Sequence, residues 1–177
     1  MPSKKKSLII VYTGDGKGKT TAAMGMVFRC VAHGYKSAVV QFIKSDEGFK
    51  YGEQILAEQL PLLDIFTLGA GFTWKNDQET NQKAALEAWD KAKEVVLSGE
   101  YRMVVLDEVN YAIHHGYISE LEVLKLFNRK PKEVHLVLTG RNARETIIEQ
   151  ADLVTEMKCL KHPYKEQGIN GQKGIEW

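Results

Sequence analysis

The stretch that most constrains this chain is residues 7–21, Ser-Leu-Ile-Ile-Val-Tyr-Thr-Gly-Asp-Gly-Lys-Gly-Lys-Thr-Thr. Residues 8–12 are a β-rich apolar run, long enough for a buried strand. A glycine-rich turn follows, and a helix-forming stretch over 20–32 begins at once. Strand, glycine turn, Lys-Thr and helix in that order make a phosphate cradle. The N–H groups of the turn and of the helix start point into one concavity, where the macrodipole favours anions. Gly16 and Gly18 let the backbone curl close to phosphate oxygens. Lys19 can reach the phosphates as a point charge, and the Thr20 hydroxyl is placed to ligate Mg²⁺.

The match to G-x-x-x-x-G-K-[ST] is imperfect. Thr13 stands where the first glycine belongs, and the glycine comes one place later, at Gly14. Lys17 and Thr21 add a second cation and a second hydroxyl. A Gly/Lys-rich surface turn is the bland alternative, but the flanking strand and helix are the context the motif requires. The expected nucleotide contacts run from Thr13 through Gly14, Asp15, Gly16, Lys17, Gly18, Lys19 and Thr20 to Thr21.

The rest of the chain alternates strands and helices. Residues 37–42 and 63–68 read as strands, 54–59 as a short helix and 78–97 as a long one. A strand over 102–107 ends in Asp107, followed by Glu108. A carboxylate at a strand's carboxyl end is the acidic partner of a phosphate loop, able to hold Mg²⁺ directly or through water. A helix over 119–128 carries a capping-box start, Ser119 with Glu122, and apolar Leu121, Leu124 and Phe127. A strand over 134–138 ends in Thr-Gly-Arg, so Arg141 can clamp a phosphate bidentately. A helix over 143–151 and a strand over 153–157 complete an α/β, mostly parallel sheet of about six strands flanked by helices. Residues 158–177 hold Pro163, Gly168, Gly171 and Gly174, and read as an irregular segment.

Several residues keep two readings. Arg29 in the first helix fits a surface arginine as well as a site residue. Residues 43–53 follow a strand's carboxyl end with two lysines and two aromatics, yet a solvated connection is slightly favoured. Phe72 and Trp74, in Gly-Ala-Gly-Phe-Thr-Trp, fit core packing and ligand contact equally. Trp89 belongs to the core.

Bulk composition bounds the class. With 177 residues, 44% hydrophobic and 27% charged, one domain spanning 1–177 is expected, with residues 1–6 a basic tail. A net charge of +1 gives no field for nucleic acid or membrane. Cys30 and Cys159 lie far apart and fit a reducing compartment, so a cytoplasmic location is expected.

At the glycine loop and several later motifs the sequence resembles the P-loop type of ATP:corrinoid adenosyltransferase, and the resemblance runs end to end. It rests on residues 13–23, on Gln41-Phe42-Ile43-Lys44 with Val40 ahead of it, and on Gly71-Phe72-Thr73-Trp74. Leu106-Asp107-Glu108, Thr139-Gly140-Arg141, Lys161-His162 and Gly174-Ile175-Glu176-Trp177 extend it. The loop alone is weak; the later motifs at these separations are specific.

The resemblance implies a RecA-like single domain in which Co(I) of a reduced corrinoid attacks C5′ of ATP and expels triphosphate. It implies ATP lying in the loop in the reverse of the usual sense. It makes Lys19, Glu108, Phe72 and Trp74 catalytic, with the two aromatics displacing the lower cobalt ligand. Arg29 and Arg141 become nucleotide contacts, and Thr20, Asp107 and Glu108 the Mg²⁺ set. An electron-donating flavoprotein partner and a homodimer are further implications. Two departures stand out: only residues 1–6 precede the first strand, and Trp177 ends the chain where tyrosine is expected. A P-loop small-molecule kinase or ATPase, and a non-catalytic ATP-gated binding module, are the competing readings.

Overall fold

The computed structural model describes residues 7–45, 50–71 and 77–176. Its elements are β1 (Ile9–Thr13), α1 (Lys19–Ala32), β2 (Ser37–Gln41), α2 (Gly52–Ala57), β3 (Leu63–Thr67), α3 (Gln78–Ser98) and β4 (Met103–Asp107). They continue through α4 (Val109–His114), α5 (Glu120–Arg129), β5 (His135–Thr139), α6 (Glu145–Gln150), β6 (Leu153–Glu156) and α7 (Pro163–Gln167). The six strands form one sheet in the order β3-β2-β4-β5-β1-β6, and every neighbouring pair is parallel. Parallel strands need helical crossovers, and these cover both faces.

Alternation along each central strand divides the core. Ile9 and Val11, Ala38 and Val40, Val104 and Leu106, and Leu136 and Leu138 face α3, α4 and α5. Ile10, Val39, Val105 and Val137 face α1, whose Ala23, Met24, Val27 and Cys30 meet them. Trp89 is buried in the α3 layer, as expected. All strand carboxyl ends lie along one edge, and the acid-bearing β4 is separated from β1 by β5. The fold class is therefore the one the strand–helix alternation implies.

Three local expectations are corrected. Residues 158–177 are not wholly irregular, because α7 lies within them. Pro163 occupies its first turn, His162 Nδ1 accepts from Tyr164 N–H, and Gly168 closes it at φ 67°. These are helix start and stop signals within a glycine-rich segment. In α5 the buried face is Val123, Leu126 and Phe127, while Leu121 is 67% exposed. Ser119 stands at the α5 N-cap, but its side chain makes no capping hydrogen bond. A further short helix, α4, starts directly behind the strand-ending acid, with Glu108 at its N-cap.

Candidate active site

The glycine loop lies between β1 and α1, with Gly18 at the helix N-cap in a left-handed conformation, φ 108°. The reason for Gly16 differs from the sequence expectation, and Gly14 shares it. A Cβ on Gly14 would lie 2.5 Å from the Met157 carbonyl oxygen, and one on Gly16 2.8 Å from the Lys158 carbonyl. Gly16 N–H donates to Met157 O at 2.7 Å, and Met157 N–H donates to Thr13 O at 2.8 Å. The chain leaving β6 thus braces the underside of the loop, and glycine is needed there to let two backbones meet. Thr13 is an ordinary strand end. Its hydroxyl accepts the Ala143 N–H at 3.2 Å, and its side chain lies outside the cavity lining.

Lys19 is folded into the loop and only 7% exposed. Its Nζ donates to the carbonyls of Gly14 and Gly16, both at 2.8 Å. Burial holds its pKa below the ordinary lysine value, against the raising influence of Glu108.

Across the loop, the carboxyl ends of β4 and β5 supply the acids. Asp107 is 1% exposed, and its Oδ1 accepts from Thr20 Oγ1 at 2.7 Å and from Thr139 Oγ1 at 2.9 Å. Glu108 takes a left-handed backbone at φ 62°, and its N–H donates to Thr139 Oγ1 at 2.9 Å. Burial first, and the Asp107 charge second, push its carboxyl above the usual range. Gly140, at φ 126°, passes so close that a Cβ would stand 3.2 Å from Glu108 Oε2.

A second cation comes from a loop that composition assigns to solvent. Lys44 lies 3.6 Å from Asp107 Oδ2 and pairs with Glu53. Burial depresses its pKa, but Asp107 and Glu53 outweigh that and leave it raised. Glu53 accepts from Gln41 Nε2 at 3.2 Å, Gln41 Oε1 accepts from Thr67 Oγ1 at 2.8 Å, and Thr67 accepts from Gln54 Nε2 at 2.7 Å. This network ties β2, β3 and α2 to the acid of β4. The one signal for it was a glutamine ending a strand that is otherwise apolar after its first serine, and Gln41 is fully buried.

These groups bound a cavity of about 550 Å³. Gly16 to Thr21 form one wall, with Lys44, Glu53, Glu108 and Arg141 opposite. His162 and residues 174–176 close a further side, with Glu176 ion-paired to Lys17. The expected loop contacts from Gly16 to Thr21, with Glu108 and Arg141, therefore converge. Asp107 sits behind them and reaches the site through Thr20. Asp15 does not converge: it is exposed and lines a separate hollow with residues 156–162. Arg29 is exposed on α1 and outside the lining, whereas Phe28 of the same helix is in it. Gly14 lies beneath the wall, reaching it through the Lys19 bond. Phe72 and Trp74 lie outside the described residues.

A buried lysine in a glycine loop, a hydroxyl and carboxylate beside it and cations around the mouth suit a triphosphate. Comparison with known proteins narrows the family. A family model described as ATP:corrinoid adenosyltransferase BtuR/CobO/CobP matches residues 5–177. A corrinoid adenosyltransferase from Sinorhizobium is 49% identical, over 98% of this chain and 81% of its own length. Those of Pseudomonas aeruginosa and Escherichia coli are 39% and 37% identical, over 98% of this chain and 85% and 87% of theirs. With the loop, the acid edge and a match over nearly its whole length, this chain belongs to the ATP:corrinoid adenosyltransferase family.

Proposed function

We propose that the cavity holds ATP by its triphosphate as a leaving group, with C5′ turned outward to the corrinoid. The family reaction is transfer of the 5′-deoxyadenosyl group of ATP to a reduced corrinoid. In that step Co(I) supplies an electron pair to C5′, the C5′–O bond breaks, and triphosphate departs with the bonding electrons. What the protein must do is neutralise the departing charge and hold C5′ in line. Lys19, Lys17 and Arg141 are the cations at hand, and the observation that carries this reading is Lys19 anchored by two loop carbonyls at the cavity wall. The loop N–H groups and the α1 N-terminus add fixed dipoles aimed at the same place.

Thr20, Asp107 and Glu108 present hard oxygen donors together, the chemistry Mg²⁺ takes, so the residues fit that ion. Bound with the nucleotide, Mg²⁺ would add positive charge to the phosphate oxygens. Burial, and after it the Asp107 charge, raise the Glu108 pKa, so Glu108 keeps its proton to higher pH than an ordinary carboxyl. Phe72 and Trp74 are proposed to meet the corrin and displace its lower ligand. A cytoplasmic homodimer fed electrons by a flavoprotein is the proposed setting; among the described residues no helix is long and apolar enough to cross a membrane.

The test is a single spectrum with its product analysis. Reduced cobalamin, ATP and the protein are expected to give a light-sensitive Co–C product and triphosphate in equal amounts. ADP as the only nucleotide product would overturn the reading in favour of phosphoryl transfer. Tight ATP binding with no turnover, unaffected by Phe72→Ala, would favour a binding module.

A further inference from the structure

Lys44 stands at a place where the loop-and-acid arrangement has another claimant. Asp107 Oδ1 is taken by the hydroxyls of Thr20 and Thr139, which leaves Oδ2 as the oxygen turned toward further cations. That oxygen faces Lys44 Nζ at 3.6 Å, and the same ammonium pairs with Glu53 and lies 4.7 Å over the ring of Tyr51.

The position of Lys44 is built by the fold. Phe42 N–H donates to Asp107 O at 3.0 Å, fastening the end of β2 to the end of β4. Lys44 O accepts from Gly69 N–H and Ile43 O from Gly71 N–H, both at 2.9 Å. The two loops approach so closely that a Cβ on Gly69 would fall 2.1 Å from the Ile43 carbonyl carbon. With its backbone clamped between β4 and the loop after β3, the Lys44 side chain runs along the sheet edge to the acids. Its side chain is 20% exposed, against 16% for Glu53 and 1% for Asp107, so the three charges meet largely out of water. A cation withdrawn from such a group leaves carboxylates that must find another.

We propose that Lys44 is a positioning residue of the triphosphate site, holding the outward Asp107 oxygen and Glu53 as an internal counter-cation so that a divalent ion enters only together with the nucleotide's phosphates. A free ion approaching Asp107 would have to displace an ammonium bound by two carboxylates. An ion carried on a triphosphate brings anionic oxygens to which Lys44 can turn, so the exchange leaves no charge bare. The inference rests on reading Thr20 and Asp107 as the cation side of the nucleotide site.

The experiment is a titration of the full chain with Mn²⁺, free ion being read by its electron paramagnetic resonance, with and without ATP. The wild-type chain is expected to leave Mn²⁺ free when alone and to bind it when ATP is present. Lys44→Met is expected to bind Mn²⁺ without nucleotide at least about tenfold more tightly than wild type, since two carboxylates lose a cation about 4 Å away. Lys44→Arg keeps the charge and is expected to behave as wild type. Lys44→Met combined with Glu53→Gln is expected to lose the gained affinity. A wild-type chain that binds Mn²⁺ alone as tightly as it does with ATP would overturn the inference, and that arm needs no variant to fold. A folded Lys44→Met chain no tighter than wild type would overturn it too. Failure of ATP itself to bind would strike the functional reading instead.

Discussion

Two lysines two residues apart in one loop have opposite surroundings. Lys19 is buried and donates to two carbonyls of its own loop, Gly14 and Gly16. Lys17 has a side chain 51% exposed and pairs with Glu176, 159 residues along the chain. The first interaction closes within a few residues and is dictated by the motif. The second depends on how the C-terminal segment lies over the loop. A desolvated cation held by neutral dipoles keeps its charge undischarged for an incoming anion, whereas a cation met by a carboxylate has an anion already. The loop therefore holds one cation in reserve and lends the other to the tail.

The largest expected effect separates these roles. Lys19→Met is expected to lower kcat/KM about 10²–10³-fold, the scale for removing one preorganised charge stabiliser. Its melting temperature is expected to hold or rise, because burial of that charge is itself a cost. Lys17→Met is expected to lose far less. Steady-state kinetics with thermal melts check both, and equal losses would end the distinction between the two lysines.

The next effect tests the brace beneath Lys19. Gly16→Ala would press a methyl against the Met157–Lys158 backbone, where neither side is a flexible side chain. A cost of about 1–3 kcal/mol is expected, with nucleotide affinity falling alongside. Gly25→Ala in α1 is the control, since nothing lies within 4 Å of its added Cβ and alanine favours helix. Calorimetric melts should show the first lower and the second level or higher. A Gly16→Ala melt at the wild-type temperature would mean that the brace yields.

Locality also explains what could be read in the sequence. The strand, loop and helix around Lys19 were legible because hydrophobic run, glycine and N-terminal lysine act within a few residues. Asp107 was legible because an apolar run ending in acid is meaningful once a phosphate loop is present. Lys44 was passed over because its partners come from β4 and α2, elements whose neighbourhood in the sheet no periodicity reveals. Asp15 and Arg29 are expected at the site by adjacency and by resemblance, and both stand outside the lining of the cavity. In α5, Leu124 and Phe127 do pack toward the core, but Val123 and Leu126 join them while Leu121 stays exposed, as two offset stripes coexist in one short helix.

A smaller effect concerns the tail. Glu176→Gln removes the anion paired with Lys17 while keeping size and most hydrogen bonding. Exposed ion pairs are weak, so ATP affinity is expected to rise only about 2–5-fold, as Lys17 becomes free for phosphate. Fluorescence titration with ATP measures it. A fall in affinity would mean that Glu176 acts by fastening residues 174–176 as a cavity wall rather than by competing for the lysine.

The smallest effect is a dependence of stability on pH. Burial, then the charge of Asp107, raises the Glu108 pKa above its unfolded value. Between the unfolded pKa and the folded one, the native state binds more protons, so stability falls as pH rises through that window. Above it, ionised Glu108 is a standing cost, relieved on acidification toward the unfolded value. Glu108→Gln carries no such cost, and at pH 7 it is expected to melt higher than wild type. That difference should shrink as pH is lowered toward 4.5. Lys19 and Arg141 oppose the shift, so a gap that widens on acidification would mean that their charges outweigh burial. The carboxylate would then be at home beside the reserved lysine, and the loop would hold both of its cations already committed.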